Sequence, residues 1–283
     1  MSKKSILITG ASSGLGRTTA LYLQEHGFYV FAAAREIQGV FNDVTDIQEL
    51  TLDITSEQSI SDAFKEIKLK QEKYPLWGLI NNAGICIPGP LEILNAGELR
   101  QQLDTNVIGQ LSITQASLPF IRANKGRIIN ITSGLGSIAV PYLGAYSIAQ
   151  FAKMAFTDAL RRELRNSGIS VSVVQPGAIY TPIWGKFINA GKLALTKTKN
   201  PAKKIYQRSF DEFLNTSETQ ARLSKTTDRD FSKIILEILK TEVPKSHYYV
   251  GDDAKLFIET SKKSMPNQID DLFSNQIPTS SEF

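Results

Sequence analysis

Between Ser5 and His26 the chain passes from a short apolar run through TGASSGLG into a segment where Ala20, Leu21 and Leu23 begin a helical periodicity. A strand, a glycine-rich loop and a helix in that order restrict the possible folds more than any other feature of the sequence. The tight turn needs positive φ, and a Cβ in the loop would hold a pyrophosphate away from the helix N-terminus, where unpaired N–H groups and the helix dipole attract it. Gly10, Gly14 and Gly16 meet both demands, with Ser12, Ser13 and Leu15 between them. The spacing predicts a dinucleotide-binding turn.

The same rhythm continues along the chain. Phe28 to Ala34 and Gln48 to Asp53 are apolar runs, Ser59 to Tyr74 carries Ile60, Phe64 and Ile67 on one helical stripe, and Leu76 to Asn81 is a fourth strand. Leu99 to Ala123 reads as one long helix, Arg127 to Thr132 as a strand, Tyr146 to Asn166 as a second long helix and Ser170 to Gln175 as a sixth strand. Asp228 to Lys240 is a helix before Tyr248 to Gly251, a seventh strand. Buried strands alternating with helices through right-handed crossovers predict an α/β fold, a doubly wound, Rossmann-like parallel sheet of about seven strands. No break in composition marks a second domain, so residues 1–265 read as one. Two segments leave the rhythm: residues 181–227, expected to be a helical lid insertion, and residues 266–283, expected to be a polar C-terminal tail.

Apolar residues make up 42% of the 283 and charged residues 21%, interspersed along the chain, which supports a buried core. Thirty-two Lys and Arg against 28 Asp and Glu leave a net charge of +4, too small and too dispersed for a nucleic-acid binder. Cys86 is the single cysteine and, with His26 and His247, cannot build a Cys/His zinc cage, so no metal is expected. The apolar run after Lys3 and Lys4 is too short for a secretory segment, and no run approaches the ~20 residues of a membrane span. A cytoplasmic protein without stable membrane insertion is expected.

The second strand ends in Ala32-Ala33-Ala34-Arg35. An acidic side chain there would accept from the adenosine ribose and repel a 2′-phosphate, whereas an arginine accommodates that phosphate. Arg35 therefore predicts NADP(H) over NAD(H).

Over roughly its first 180 positions the chain resembles the short-chain dehydrogenase/reductase family. The resemblance rests on TGASSGLG, LDIT at Leu52 to Thr55, NNAG at Asn81 to Gly84, Asn106-Val107 with Gly109, ITS at Ile131 to Ser133, Tyr146, and PGAIYT at Pro176 to Thr181, all in family order. It implies that Asp53, Ile54, Asn82, Ala83 and Gly84 lie along the adenine half of the cofactor. It implies also that Pro176, Gly177, Ile179 and Thr181 form the loop at the nicotinamide carboxamide, and that Asn106, Ser133 and Tyr146 belong to the catalytic group. The HYYVGDDAKLF segment and the long lid look like the branch that handles steroids, retinoids and similar lipophilic alcohols or ketones. A homodimer or homotetramer packed through Leu99 to Ala123 and Tyr146 to Asn166 is implied as well.

Hydride transfer between a nicotinamide and a carbinol or carbonyl carbon requires the substrate oxygen to lose or gain a proton. Tyr146 is the expected acid/base, with Ser133 stabilising the same oxygen. A phenol with a reference pKa of about 10 is a poor base near neutrality. In the family resembled, a lysine one turn after the tyrosine pulls that value down and holds the nicotinamide ribose. Here Tyr146-Ser147-Ile148-Ala149-Gln150 puts Gln150 in its place. A charge about 5 Å away at an effective dielectric near 20 is worth about 3 kcal/mol, or roughly two pKa units. Gln150 can hydrogen-bond a ribose but supplies none of that. Lys153 follows Tyr146 by seven residues, nearly two turns, about 4.5 Å beyond Gln150 along the axis, and its side chain leans back toward the helix N-terminus. Geometry permits a substitute cation, but an amphipathic helix predicts a solvent-facing or interface lysine.

Two readings stand on the sequence alone. One is an NADP(H)-dependent oxidoreductase acting on a small lipophilic alcohol or carbonyl, slowed by Gln150; the other is an NADP(H)-binding pseudoenzyme with a regulatory or partner-binding role. In the expected lid, Ala202 to Leu214 places Tyr206, Phe210, Phe213 and Leu214 on one apolar face, which would roof a lipophilic substrate or pack on the sheet edge. Lys197, Lys199, Lys203 and Lys204 read as a solvated cluster, and both histidines as structural.

Overall fold

The computed structural model describes residues 3–278. The glycine loop joins β1 (Ser5–Thr9) to α1 (Gly14–Glu25), followed by β2 (Tyr29–Ala34), β3 (Ile47–Thr51), α2 (Glu57–Leu69) and β4 (Leu76–Asn81). Next come α3 (Ala96–Leu103), α4 (Gly109–Ala123), β5 (Arg127–Ile131), α5 (Gly144–Glu163) and β6 (Ser170–Pro176). The chain continues through α6 (Ile183–Lys197), α7 (Lys203–Leu223), α8 (Asp228–Lys240), β7 (His247–Val250), α9 (Asp252–Lys263) and α10 (Pro266–Phe273). The seven strands form one parallel sheet in the order β3-β2-β1-β4-β5-β6-β7. Strand order reverses between β1 and β4, which opens a crevice beyond their C-terminal ends.

Alternation explains why the central strands β1, β2 and β4 are almost wholly apolar, since both of their faces are covered. Ile6 and Ile8 of β1 point to one side of the sheet and Leu7 to the other. The first side packs on Ala20 and Leu23 of α1 and on Phe231, Ile235 and Ile238 of α8. The second packs on Ile60, Phe64 and Ile67 of α2, Ile113 and Ile121 of α4 and Leu160 of α5. A third cluster lies over the C-terminal end of the sheet, where Phe187, Ile188 and Leu195 of α6 meet Phe210 and Leu214 of α7 around Tyr142.

Two sequence expectations need correction. Leu99 to Ala123 is not one regular helix: α3 and α4 are joined by a π-helical turn at Asp104–Ile108. Residues 266–283 are not simply a polar tail, because Pro266 at the first helical position starts α10, which a short turn, Ser274–Gln276, follows. Residues 279–283 of that segment lie outside the described residues. The interval 181–227 carries two helices, α6 and α7, and α7 runs nine residues past the Leu214 expected from the apolar pattern.

Candidate active site

A cleft of about 2000 Å³ lies over the C-terminal ends of β1, β4, β5 and β6. Every proposed site residue lines it except Gly16, which is buried beneath the loop. That volume exceeds the range of roughly 300–1,000 Å³ usual for one small ligand, so a dinucleotide and a second molecule can lie end to end.

At one end of the cleft Gly10 takes φ 68°, a left-handed conformation that glycine enters without penalty. Gly16 is needed for space: a Cβ there would stand 2.3 Å from the Gly10 carbonyl oxygen and 2.6 Å from Asn82 Nδ2. Asn82 holds the loop from the next strand, its Nδ2 donating to Thr9 O at 2.9 Å and Gly10 O at 3.2 Å. Thr9 Oγ1 in turn accepts from the backbone N–H groups of Asn82 and Ala83, both at 3.0 Å. Ser13 stands at the N-cap of α1 without bonding its first turn, so the N–H groups there are not capped by that side chain. An uncapped helix start beside a loop with no room for a Cβ fits a pyrophosphate.

Beyond the end of β2, exposed Arg35 lies across the cleft from Asp53. The Asp53 carboxyl accepts from the Thr55 backbone N–H at 2.9 Å and from its hydroxyl at 2.7 Å. These bonds, and further off the charge of Arg35, hold it below the usual carboxylate range.

At the other end β5 runs into Ser133, which starts a short helical turn and accepts from Leu135 N at 3.2 Å. Gln175, fully buried on β6, donates to the Ser133 carbonyl and to Ser137 Oγ, both at 3.0 Å, and so fixes the segment from the neighbouring strand. The Ser133 hydroxyl hydrogen-bonds the Tyr146 phenol from α5. Burial pushes the phenol well above its ordinary pKa, neighbouring Cys86 adds to that rise, and the Ser133 bond opposes it.

Asn106 sits in the π-helical turn, and its side chain does not reach Tyr146 by any bond seen here. Its Oδ1 accepts from Ile85 N and its Nδ2 donates to Ile85 O, each at 2.9 Å, which pins the loop after β4. Buried Gln102 completes that clamp, with Nε2 to Ile85 O at 2.7 Å and Oε1 from Ile87 N at 2.8 Å. Sequence reasoning missed Gln102, because a glutamine on a helix carries no spacing signal. It also missed Asp253 at the start of α9, whose Oδ2 accepts from Ala178 N at 2.6 Å and fastens the loop carrying Ile179 and Thr181.

Lys153 is neither solvent-facing nor at an interface, as its helical context predicted. It is 2% exposed, lines the cleft, and donates from Nζ to the carbonyl of Ile131, the last residue of β5. Burial lowers its pKa from 10.5 to about 7. Gln150, also 2% exposed, lines the same wall with its Oε1 unpaired. Of the four apolar residues singled out on α7, Phe210 and Leu214 are buried in the third cluster and Tyr206 donates its hydroxyl to Glu92 at 2.8 Å. Only Phe213 reaches the cleft, where Trp184 and Phe187 of α6 join it.

The model of the short chain dehydrogenase family matches residues 4–191. The chain belongs to that family. As a short-chain dehydrogenase it is an oxidoreductase acting on CH–OH or C=O groups. It is 63% identical over 283 residues to the 3-amino-tetrahydro-pyrrolizinone reductase of Xenorhabdus hominickii, an alignment covering 100% of this chain and 99% of that protein. To the 17-beta-hydroxysteroid dehydrogenase type 6 of Homo sapiens it is 32% identical over 264 residues, covering 90% of this dehydrogenase and 82% of the other. Among solved structures, a short chain dehydrogenase from Burkholderia cenocepacia J2315 in complex with NADP superposes with a TM-score of 0.72 at 23% identity, covering 97% of this chain and 98% of that one. This last likeness shows the shared fold. No helix among the described residues is long and apolar enough to cross a membrane.

Proposed function

We propose that the chain uses NADPH to reduce the carbonyl of a compact, largely apolar ring ketone, with a 3-amino-tetrahydro-pyrrolizinone as the first candidate. The observation that carries this reading is the pairing of Ser133 with Tyr146 in a cleft whose far end is a glycine loop shaped for a pyrophosphate. When bound, the nicotinamide would supply the hydride. The chain would do the rest. Ser133 would hold the carbonyl oxygen and Tyr146 would give it a proton as charge develops there. A phenol whose pKa is raised by burial stays protonated at neutral pH, which suits the donor's part in reduction. Trp184, Phe187 and Phe213 would cover the apolar side of the ring. A relative that matches over the whole chain is called a 3-amino-tetrahydro-pyrrolizinone reductase, and this supports the choice over larger steroid- or retinoid-like ketones. The apolar side chains exposed near α4 and on α5, Leu111, Ile148 and Phe151 among them, support pairing of two copies through these helices.

Arg35 would carry the preference for NADPH, by pairing with the 2′-phosphate at the open edge of the cleft. Arg35→Asp is expected to weaken NADPH at least about 100-fold while changing NADH by less than about threefold, since a charge-assisted pair becomes a repulsion for one cofactor only. Fluorescence titration with both cofactors tests this, and equal weakening of the two would leave Arg35 as a surface residue. The substrate is tested by following NADPH consumption with the pyrrolizinone, a ketosteroid and retinal side by side. Higher kcat/KM on either of the larger compounds would reverse the order proposed.

A further inference from the structure

We propose that the C-terminal segment is a strap at the substrate end of the cleft, with Phe257 on α9 and Phe273 at the end of α10 as the side chains that decide which ring ketone fits beneath it. The proposal rests on the reading of Ser133 and Tyr146 as the carbonyl site given above. The segment lies beyond residue 191, where the match to the family ends.

The strap is fastened beside the serine. At the start of α9, Asp253 Oδ2 accepts from Ala178 N at 2.6 Å. A Cβ added at Gly134, the residue after Ser133, would stand 3.2 Å from Phe257 Cδ2 and 3.3 Å from Ala254 Cα, so both residues lie against the turn that Ser133 starts. Ala254 and Ile258 are buried, which anchors α9 there. Beyond Pro266 the chain runs through α10 and brings the Ser274–Gln276 turn against α7, the helix that carries Phe213. Phe257 and Phe273 both line the cleft, as do Asn275 and Gln276 of the turn. A segment that starts beside Ser133, ends on α7 and lines the cleft at both points borders the space in which a ketone held by Ser133 would sit.

The two rings are aromatic surface that the fold leaves unused. Both are half-buried, and neither belongs to any of the three apolar clusters. Neither meets another aromatic ring among the described residues. Phe187, Phe210 and Phe213, in contrast, pack on one another or on Tyr142. A phenylalanine stabilises what it covers through its large apolar area, and one that stands in a cleft wall without a partner in the core gains that burial from a ligand.

The far end of the strap is lightly held. No residue of α10 or of the turn after it is buried, and Leu272 stays exposed. Among the described residues, no hydrogen bond or ion pair joins residues 265–278 to the rest of the chain; the bonds made there, such as Met265 N to Gln268 Oε1 and Ser274 Oγ to Asp271 O, are local. With so few ties the segment opens easily, and burial of Phe273 on a bound ring closes it. Closure keeps water from the reacting carbon, and opening lets the product leave. Length is selected by the same device: a ketone that ends beneath Phe273 lets the strap close, and a longer one holds it open.

The test separates selection from stability. In the full-length protein, Phe273→Ala is expected to raise KM for the pyrrolizinone by about 10-fold or more, as for a lost aromatic anchor, with kcat and the NADPH dissociation constant changed less than about threefold. On retinal or a ketosteroid kcat/KM should stay level or rise, so the preference for the compact ketone falls by about 10-fold or more. Since the ring lies outside every cluster, the melting temperature should stay within about 2 °C of the wild type. Hydrogen exchange on the wild-type protein reads the strap without any variant. NADP+ and the ketone cannot react with each other, and together they should slow amide exchange over residues 266–276 by about 10-fold or more relative to NADP+ alone. Exchange that the ketone leaves unchanged overturns the proposal, as does a Phe273→Ala protein that weakens every ketone alike. A wild type inactive on every ketone offered would overturn the reading beneath it and this inference together, whereas an active wild type whose preference among ketones survives in Phe273→Ala would overturn this inference alone.

Discussion

Tyr146→Phe is expected to reduce turnover by about a thousandfold or more while leaving the dissociation constant for NADPH within a few-fold, because a positioned acid or base supplies roughly 10²–10⁴ and the hydroxyl is asked to move a proton rather than to hold the dinucleotide. The loss should fall on kcat and kcat/KM alike, as for an interaction made only when the carbonyl oxygen takes on charge. Ser133 would remain to hold that oxygen but would have no proton to pass on from its neighbour. Since burial and Cys86 raise the phenol, the reduction direction should hold its rate across neutral pH and fall on the alkaline side, and the oxidation direction should rise there. A Phe variant that keeps wild-type rates would place the proton donor elsewhere in the cleft.

Gly16→Val should act at the other end of the site and leave the chemistry formally intact. The added Cβ alone would stand 2.3 Å from Gly10 O and 2.6 Å from Asn82 Nδ2, and both atoms belong to the clamp that shapes the loop. Gly10 O is backbone and Asn82 Nδ2 is tied to it, so the loop must move and the Asn82 clamp with it. We expect NADPH binding to weaken by more than about a hundredfold, and folding to lose about 1–3 kcal/mol from overpacking. Titration with NADPH and a thermal melt on the same sample measure the two effects. Binding unchanged in a protein that melts lower would separate this loop from the phosphate site.

The residues also show where a sequence can be read and where it cannot. The five inner strands were legible because they are short, largely apolar runs buried on both faces, unlike the partly buried edge strands β3 and β7, and the glycine loop because only one residue type satisfies its geometry. Ser133 and Tyr146 were legible from motif order, and they meet in space as expected. Lys153 was misread. Helical spacing put it on the Tyr146 face, but no periodicity reports that β5 ends against that face, so the default for a lysine on an amphipathic helix prevailed. Gln102 and Asp253 act through backbone groups of loops 15 and 75 residues away in the chain, and such bonds depend on where loops fold rather than on spacing. The π-helical turn at Asp104–Ile108 is a one-residue change of register within an otherwise continuous helical pattern. The apolar stripe of α7 was expected to roof a substrate or to pack on the sheet edge, but most of it faces α6 and Tyr142, and Phe213 alone of the four turns into the cleft.

The most direct test follows the hydride itself. The wild-type protein, loaded with NADPH deuterated at the transferring carbon, is mixed with 3-amino-tetrahydro-pyrrolizinone for a single turnover, and the product is analysed by mass and NMR. One deuterium at the reduced carbon for each NADPH consumed, lost in Tyr146→Phe although NADPH still binds, is the predicted result. NADPH bound tightly with no deuterium delivered to this compound or to any ketone offered in its place would contradict it.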